Sequence, residues 1–142
     1  MKIETDFLEK CNRTLAKAYE LLQQEEDGSI NYELYRSASV KEFEIILEQV
    51  GKLLKKCLKP YFSSPKEVDM LVFKDIFRQA VKFGLITVED AERWMEYRDN
   101  RNTTAHDYGV GFANDTLKLL PQFIVDTNNI ISIIQNENDT KR

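Results

Sequence analysis

The segment Arg101-Asn102-Thr103-Thr104-Ala105-His106-Asp107-Tyr108 holds the only histidine of the 142-residue chain, five positions after an arginine and two before a tyrosine. An arginine grips a phosphate, a histidine moves a proton near neutral pH, and a tyrosine offers a nucleophilic hydroxyl. These are the parts of a nucleic-acid cleavage site, or of a site that is itself modified. Each residue also has a plainer reading. A protonated histidine near a helix C-terminus gains from the helix dipole without doing chemistry. Arg101 can pair with Asp107 or with an acidic residue elsewhere, and Tyr108 can be a packed ring with a satisfied hydroxyl.

A helix must position these residues. Thr87-Val88-Glu89-Asp90 supplies a hydroxyl cap and an acidic first turn. The helical pattern then runs from near Val88 and is predicted to stop at Gly109 and Gly111. Trp94, Tyr97, Arg98, Arg101 and Ala105 share one face by steps of three and four, with Trp94 the expected core anchor. His106 falls beside Asn102 on the adjoining face. On an unbroken helix Arg101 and His106 stand about 140° apart. They reach one phosphate together if the helix loosens at His106, or if a second copy of the chain supplies the opposite half.

The rest of the chain also reads as helix. Phe7, Cys11, Leu15, Ala18 and Leu22 keep helical spacing, predicting a first helix over 4–25. A second, long pattern starts at Asn31, includes Leu34, Phe43, Ile46, Leu47, Val50 and Leu54, and ends before Pro60. Within it Gly51 suits close approach of a neighbouring helix. Ser64-Pro65-Lys66-Glu67 has the form of a capped start for a third helix carrying Val68, Leu71, Val72, Ile76, Ala80 and Val81 and stopping at Gly84. The last helix is expected from about Ala113 to Gln135, kinked or split by Pro121, with 136–142 a frayed polar tail. No strand alternation, repeat or long linker interrupts the series. The expected fold is all-α, an antiparallel up-and-down bundle of four to five helices forming one domain over 1–142.

Composition narrows the function. Lys plus Arg total 20 against 24 for Asp plus Glu, a net charge of −4. An acidic chain lacks a general attraction for nucleic acid, so any RNA contact needs a local basic patch. Cys11 and Cys57 have no Cys or His at ligand spacing and read as buried free thiols rather than metal ligands. No signal-peptide run or stretch of membrane-spanning length is present, so the expectation is a soluble, cytoplasmic protein without a membrane partner or cofactor.

Arg101-Asn102-x-x-x-His106-x-Tyr108 resembles the signature of HEPN domains, in the form paired with minimal nucleotidyltransferases. Arg36 followed by Phe43-Glu44 looks like the second-helix segment of that family. Ser64-Pro65, Gly84-Leu85-Ile86 and Trp94 keep the family's order, so the resemblance spans roughly Leu8 to Ile134. The glycine-rich stretch after Tyr108 and Pro121 depart from it. The resemblance implies a dimer in which two Arg-x4-His motifs face each other across a cleft. It further implies either a ribonuclease toxin of a toxin–antitoxin pair or a substrate-binding subunit of a two-component nucleotidyltransferase, with the dimer either alone or within a heterotetramer or larger complex. In the toxin form, the small nucleotidyltransferase partner transfers AMP to the tyrosine, here Tyr108.

Metal-independent RNA cleavage needs a base for the 2′-OH, an acid for the leaving 5′-oxygen, and cations for the charge between them. Two copies of His106 would serve the proton transfers and two of Arg101 the charge. Asn102 would position a phosphate oxygen or orient His106. Arg98 is either a secondary phosphate contact or half of a surface ion pair.

Overall fold

Six α-helices order the described residues, 2–104 and 110–140, of the computed structural model. They are α1 (Asp6–Leu22), α2 (Ile30–Leu58), α3 (Pro65–Asp69), α4 (Phe73–Lys82), α5 (Val88–Thr104) and α6 (Val110–Thr140), with a 3-10 turn at Lys59–Tyr61 after α2. No strand occurs among the described residues, and the all-α expectation holds. The long helix α2 is central, packing on α1, α4 and α6, because its apolar positions surround it. Phe43, Ile46, Leu47, Val50, Leu54 and Leu58 are all buried. None of the helices is long and apolar enough to cross a membrane, among the described residues.

Local chemistry sets the helix ends. Ser29 caps α2 by accepting from the Tyr32 backbone N–H at 3.1 Å. Ser64 caps α3 through the Lys66 N–H at 3.2 Å. At the start of α5, Thr87 Oγ1 accepts from the Asp90 N–H and Asp90 returns the bond to the Thr87 N–H, both at 3.1 Å, a reciprocal capping box. Gly84 closes α4 with φ +76°. The Leu85 N–H reaches the Ala80 carbonyl and the Gly84 N–H that of Val81, a Schellman ending open to a residue without a Cβ.

The expected third helix is two helices. Val68 and Phe77 are both fully buried, yet on a continuous helix nine residues would set them about 180° apart. The chain resolves the conflict by breaking at 70–72. Val72 adopts an extended conformation as the residue before α4 and is exposed, as is Met70. The break also turns Phe73 onto Gly51 of α2, where a Cβ would lie 3.1 Å from the ring. Gly51 therefore serves the close approach its sequence position suggested.

Other boundaries shift for equally physical reasons. In the first turn of α1 the fully buried residue is Leu8, while Phe7 is exposed, and in α2 Leu34 is exposed too. Gly111 lies in the first turn of α6 instead of ending α5, and α6 runs unbroken through Pro121. Pro121 is exposed, and the buried residues on either side, Leu120 and Phe123, hold the helix to the core across it. The expected frayed tail is helical to Thr140 and engaged. Tyr61 donates to Glu137 at 2.6 Å, and this bond, more than burial, pushes its hydroxyl pKa up to about 12. Asn138 exchanges two bonds of 2.9 Å with the Ile3 backbone. Cys11 and Cys57 are buried free thiols. Burial first, and the neighbouring Glu42 second, push Cys11 up to about 11.

Candidate functional site

Helix α5 is fixed from its buried side. Trp94 and Tyr97 are almost fully enclosed. Trp94 stacks on Phe77 of α4 with centroids 5.6 Å apart, and both Trp94 and Tyr97 meet Phe123 of α6. Beside them lies Asp126, a carboxylate only 3% exposed. It receives two bonds from the Arg93 guanidinium, at 2.8 and 3.0 Å, one from the Tyr97 hydroxyl at 2.6 Å and one from Gln122 at 2.9 Å.

A buried charge persists only where such bonds replace water. Burial drives Asp126 upward, but the bonds from Arg93, Tyr97 and Gln122 and the Arg93 charge outweigh it, so its pKa lies below the ordinary carboxylate value. Burial and then the Asp126 bond push the Tyr97 hydroxyl far up, which keeps it a donor. Near the far end of α5, Asn100 donates to the buried Thr116 hydroxyl of α6 at 2.9 Å. The two helices are thereby pinned on either side of 105–109, the segment that contains His106 and Tyr108.

The predicted site residues divide accordingly. His106 and Tyr108 lie outside the described residues. Arg98 and Arg101 continue the stripe that begins at buried Trp94, and emerge from the core on the outer half of α5. Arg98 lies with its guanidinium carbon 4.7 Å from the centroid of the Phe73 ring, a cation–π stack where an ion pair was the alternative expectation. Arg101 approaches Glu44 of α2, with Nε 3.8 Å from Oε2 and both side chains about two-fifths exposed. The acidic partner expected elsewhere is thus Glu44, next to the buried Phe43. At that exposure the pair contributes little to stability. Asn102 is exposed.

Arg98 and Arg101 form one wall of a groove of about 520 Å³ whose opposite wall is α2. Lys52 and Lys55 stand on that wall, and Leu47, Gly51, Phe73 and Ile76 line the space between. Sequence reasoning missed these lysines because nothing adjacent to them in the chain marks a site. It also missed Asp126, for which a signal existed. Asp126 is the only acidic residue between Leu117 and Ile134, and it sits on the core stripe at helical steps from Phe123 and Ile130.

The described residues form an all-helical bundle in which a capped, clamped helix delivers an arginine to the edge of a cationic groove. The fold matches known structures. A Haemophilus influenzae protein described as having the fold of a substrate-binding domain of a nucleotidyltransferase superimposes with a TM-score of 0.78 at 22% identity, over 93% of this chain and 99% of that one. A Thermus thermophilus protein gives 0.66 at 24%, over 87% and 98%. Residues 5–136 match the family model described as "nucleotidyltransferase substrate binding protein like", and the chain belongs to that family. A Haemophilus influenzae relative named "probable ribonuclease HepT" is 28% identical over 102 residues, 72% of this chain and 68% of the relative.

Proposed function

We propose that this protein is a HEPN ribonuclease toxin that cuts RNA without a metal at a site shared by two copies of the chain, restrained by a small nucleotidyltransferase that adenylylates Tyr108. The observation that carries the reading is the placement of Arg101. It stands at the outer end of a helix whose inner end is locked by Asp126, and its contact to Glu44 is open to solvent. A solvent-exposed pair of this kind contributes little to stability, so a phosphate can compete with Glu44 for the guanidinium. The relative named as a probable ribonuclease supports the same direction.

In this reading His106 from one copy takes the 2′-OH proton, and His106 from the other protonates the leaving 5′-oxygen. The two Arg101 side chains stabilise the charge between them, and Asn102 orients a phosphate oxygen or His106. One histidine per chain makes the dimer a requirement of the mechanism. AMP on Tyr108 would place a bulky anion beside Arg101 and block RNA. The second reading, a non-catalytic subunit presenting a substrate to the nucleotidyltransferase, draws support from the family's description and from the net charge of −4.

Cleavage of an end-labelled RNA pool in EDTA separates the two. Wild type should leave 2′,3′-cyclic phosphate ends while Arg101→Ala and His106→Ala leave the RNA intact. Uncut RNA with unmodified, dimeric wild type would hand the case to the substrate-presenting subunit. Intact mass after co-expression with the partner should rise by one adenylyl group, and Tyr108→Phe should abolish the rise. An unchanged wild-type mass removes the adenylylation step.

A further inference from the structure

The groove between α2 and α5 has no part in the cleavage chemistry above, Arg101 aside, yet its composition departs from the rest of the chain. Four of its lining residues, Lys52, Lys55, Arg98 and Arg101, are cationic and one, Glu48, is anionic, in a protein of net charge −4. The cations stand as two pairs on facing walls. Each pair is spaced i, i+3, a rise of about 4.5 Å along its helix. Between the walls the floor is apolar and aromatic. Phe73 reaches it because Gly51 carries no Cβ, and the ring holds the Arg98 guanidinium against itself.

We propose that this groove binds the phosphate backbone of single-stranded RNA on the strand flanking the cut. The inference rests on the ribonuclease reading of the same site. A cationic channel with an aromatic-backed guanidinium tracks a single strand through its phosphates and the flat faces of its bases, with little regard for sequence. Arg101 belongs both to the groove and to the motif, so a strand lying in the groove leads directly to the motif. Lys52 is exposed and sets the outer contact. Lys55 lines the groove and donates one bond to the Asp69 carbonyl at 2.7 Å, which leaves two further protons to donate. Glu48, one turn before Lys52 on the same wall, is the anionic member of this lining.

The test is RNA binding by fluorescence anisotropy across a salt series, in a His106→Ala background that does not consume the probe. Short labelled oligouridylate and oligoadenylate serve as probes. Lys52→Glu should weaken both equally, and the slope of log K against log salt should flatten by about 0.7 for the lost phosphate contact. Lys55→Gln should add a similar flattening, with circular dichroism confirming that α3 survives the loss of the Asp69 contact. Wild-type cleavage is measured in parallel to keep the two readings apart. Cleaved RNA together with unchanged affinity and slope in Lys52→Glu overturns the groove and leaves the nuclease standing. RNA bound through the lysines but never cut keeps the groove and removes the nuclease. RNA neither bound nor cut removes both. Loss of nucleotidyltransferase binding in Lys52→Glu, with RNA binding intact, also overturns the proposal and makes the groove a protein-docking surface.

Discussion

The two halves of α5 put the same residue type to opposite uses. On the inner half, Arg93 is tied by two bonds to a carboxylate that is 3% exposed. On the outer half, less than three turns along, Arg101 meets a carboxylate in solvent at 3.8 Å and Arg98 lies on a ring. The difference is burial. The two arginines differ little in exposure, but Asp126 is shut off from water while Glu44 is not, and a buried carboxylate must be fully paired or be left an uncompensated charge. Where water remains, the pair contributes little to stability. A helix that anchors and presents at once must keep these environments apart, and Trp94 and Tyr97 form the barrier between them.

The comparison is sharpened by variants that should affect one half and spare the other. The largest expected effect is on activity. Arg101→Ala should lower RNA cleavage by about 10²–10³-fold, the loss typical of one group stabilising transition-state charge. Its denaturation midpoint should stay within about 0.5 kcal/mol of wild type. A large loss of stability would place Arg101 on the structural side instead. Asp126→Ala should do the reverse, costing about 3 kcal/mol in urea denaturation, near the low end for a buried pair because Arg93 is a third exposed. Arg101 chemistry should persist in whatever fraction remains folded.

Asn100→Ala removes the pin to Thr116 and should cost about 1 kcal/mol. It should also reduce cleavage more than that loss predicts, because it frees the helix ends on either side of 105–109. Equal reductions in stability and activity would show that the pin only holds the fold. The pH dependence follows from Asp126. Its folded pKa is depressed, so its contribution is complete above the ordinary carboxylate value near 3.9 and is lost as pH falls through the lower folded value. Below about pH 4 the unfolded state binds more protons, and stability should climb with pH there. Asp126→Asn should flatten that acid limb. The smallest effect belongs to Lys118→Ala. Its partner Asp115 lies 4.0 Å away with both side chains mostly in water, and thermal melts should shift by less than about 0.5 kcal/mol.

What the sequence made legible follows the range of the interactions. The caps at Ser64 and Thr87, the Gly84 stop and the Trp94 anchor depend on residues a few positions apart, and all were readable. The break at 70–72 was not, because it arises from a conflict between Val68 and Phe77 over which side faces α2. That conflict exists only once α2 is in place. The candidate site divides in the same way. The arginine and its flanking motif lie in one short run, whereas Lys52, Phe73 and Arg98 meet through three helices. Glu44 was noticed as part of a family segment, but its contact with Arg101 spans 57 positions and no local pattern announces it. Pro121 was read as a break because the missing N–H is a local certainty. The buried residues on either side of it decide otherwise.

The clip between Ile3 and Asn138 carries a consequence for how the chain assembles. Its two bonds join positions 135 apart in sequence, about as non-local as a contact in this chain can be. Such contacts reward the chain only after the intervening loop has closed, so the clip forms after α1, α2 and α6 have met and is absent from any early nucleus. Its loss therefore quickens unfolding without slowing refolding. It also sets Ile3 and Asn138 side by side, so in an engineered chain a short peptide bridging these positions can close a ring that is reopened at the exposed Gly28 turn. A permuted chain of that kind would fold with Asn138 and Ile3 as near neighbours in sequence, turning a long-range contact into a local one.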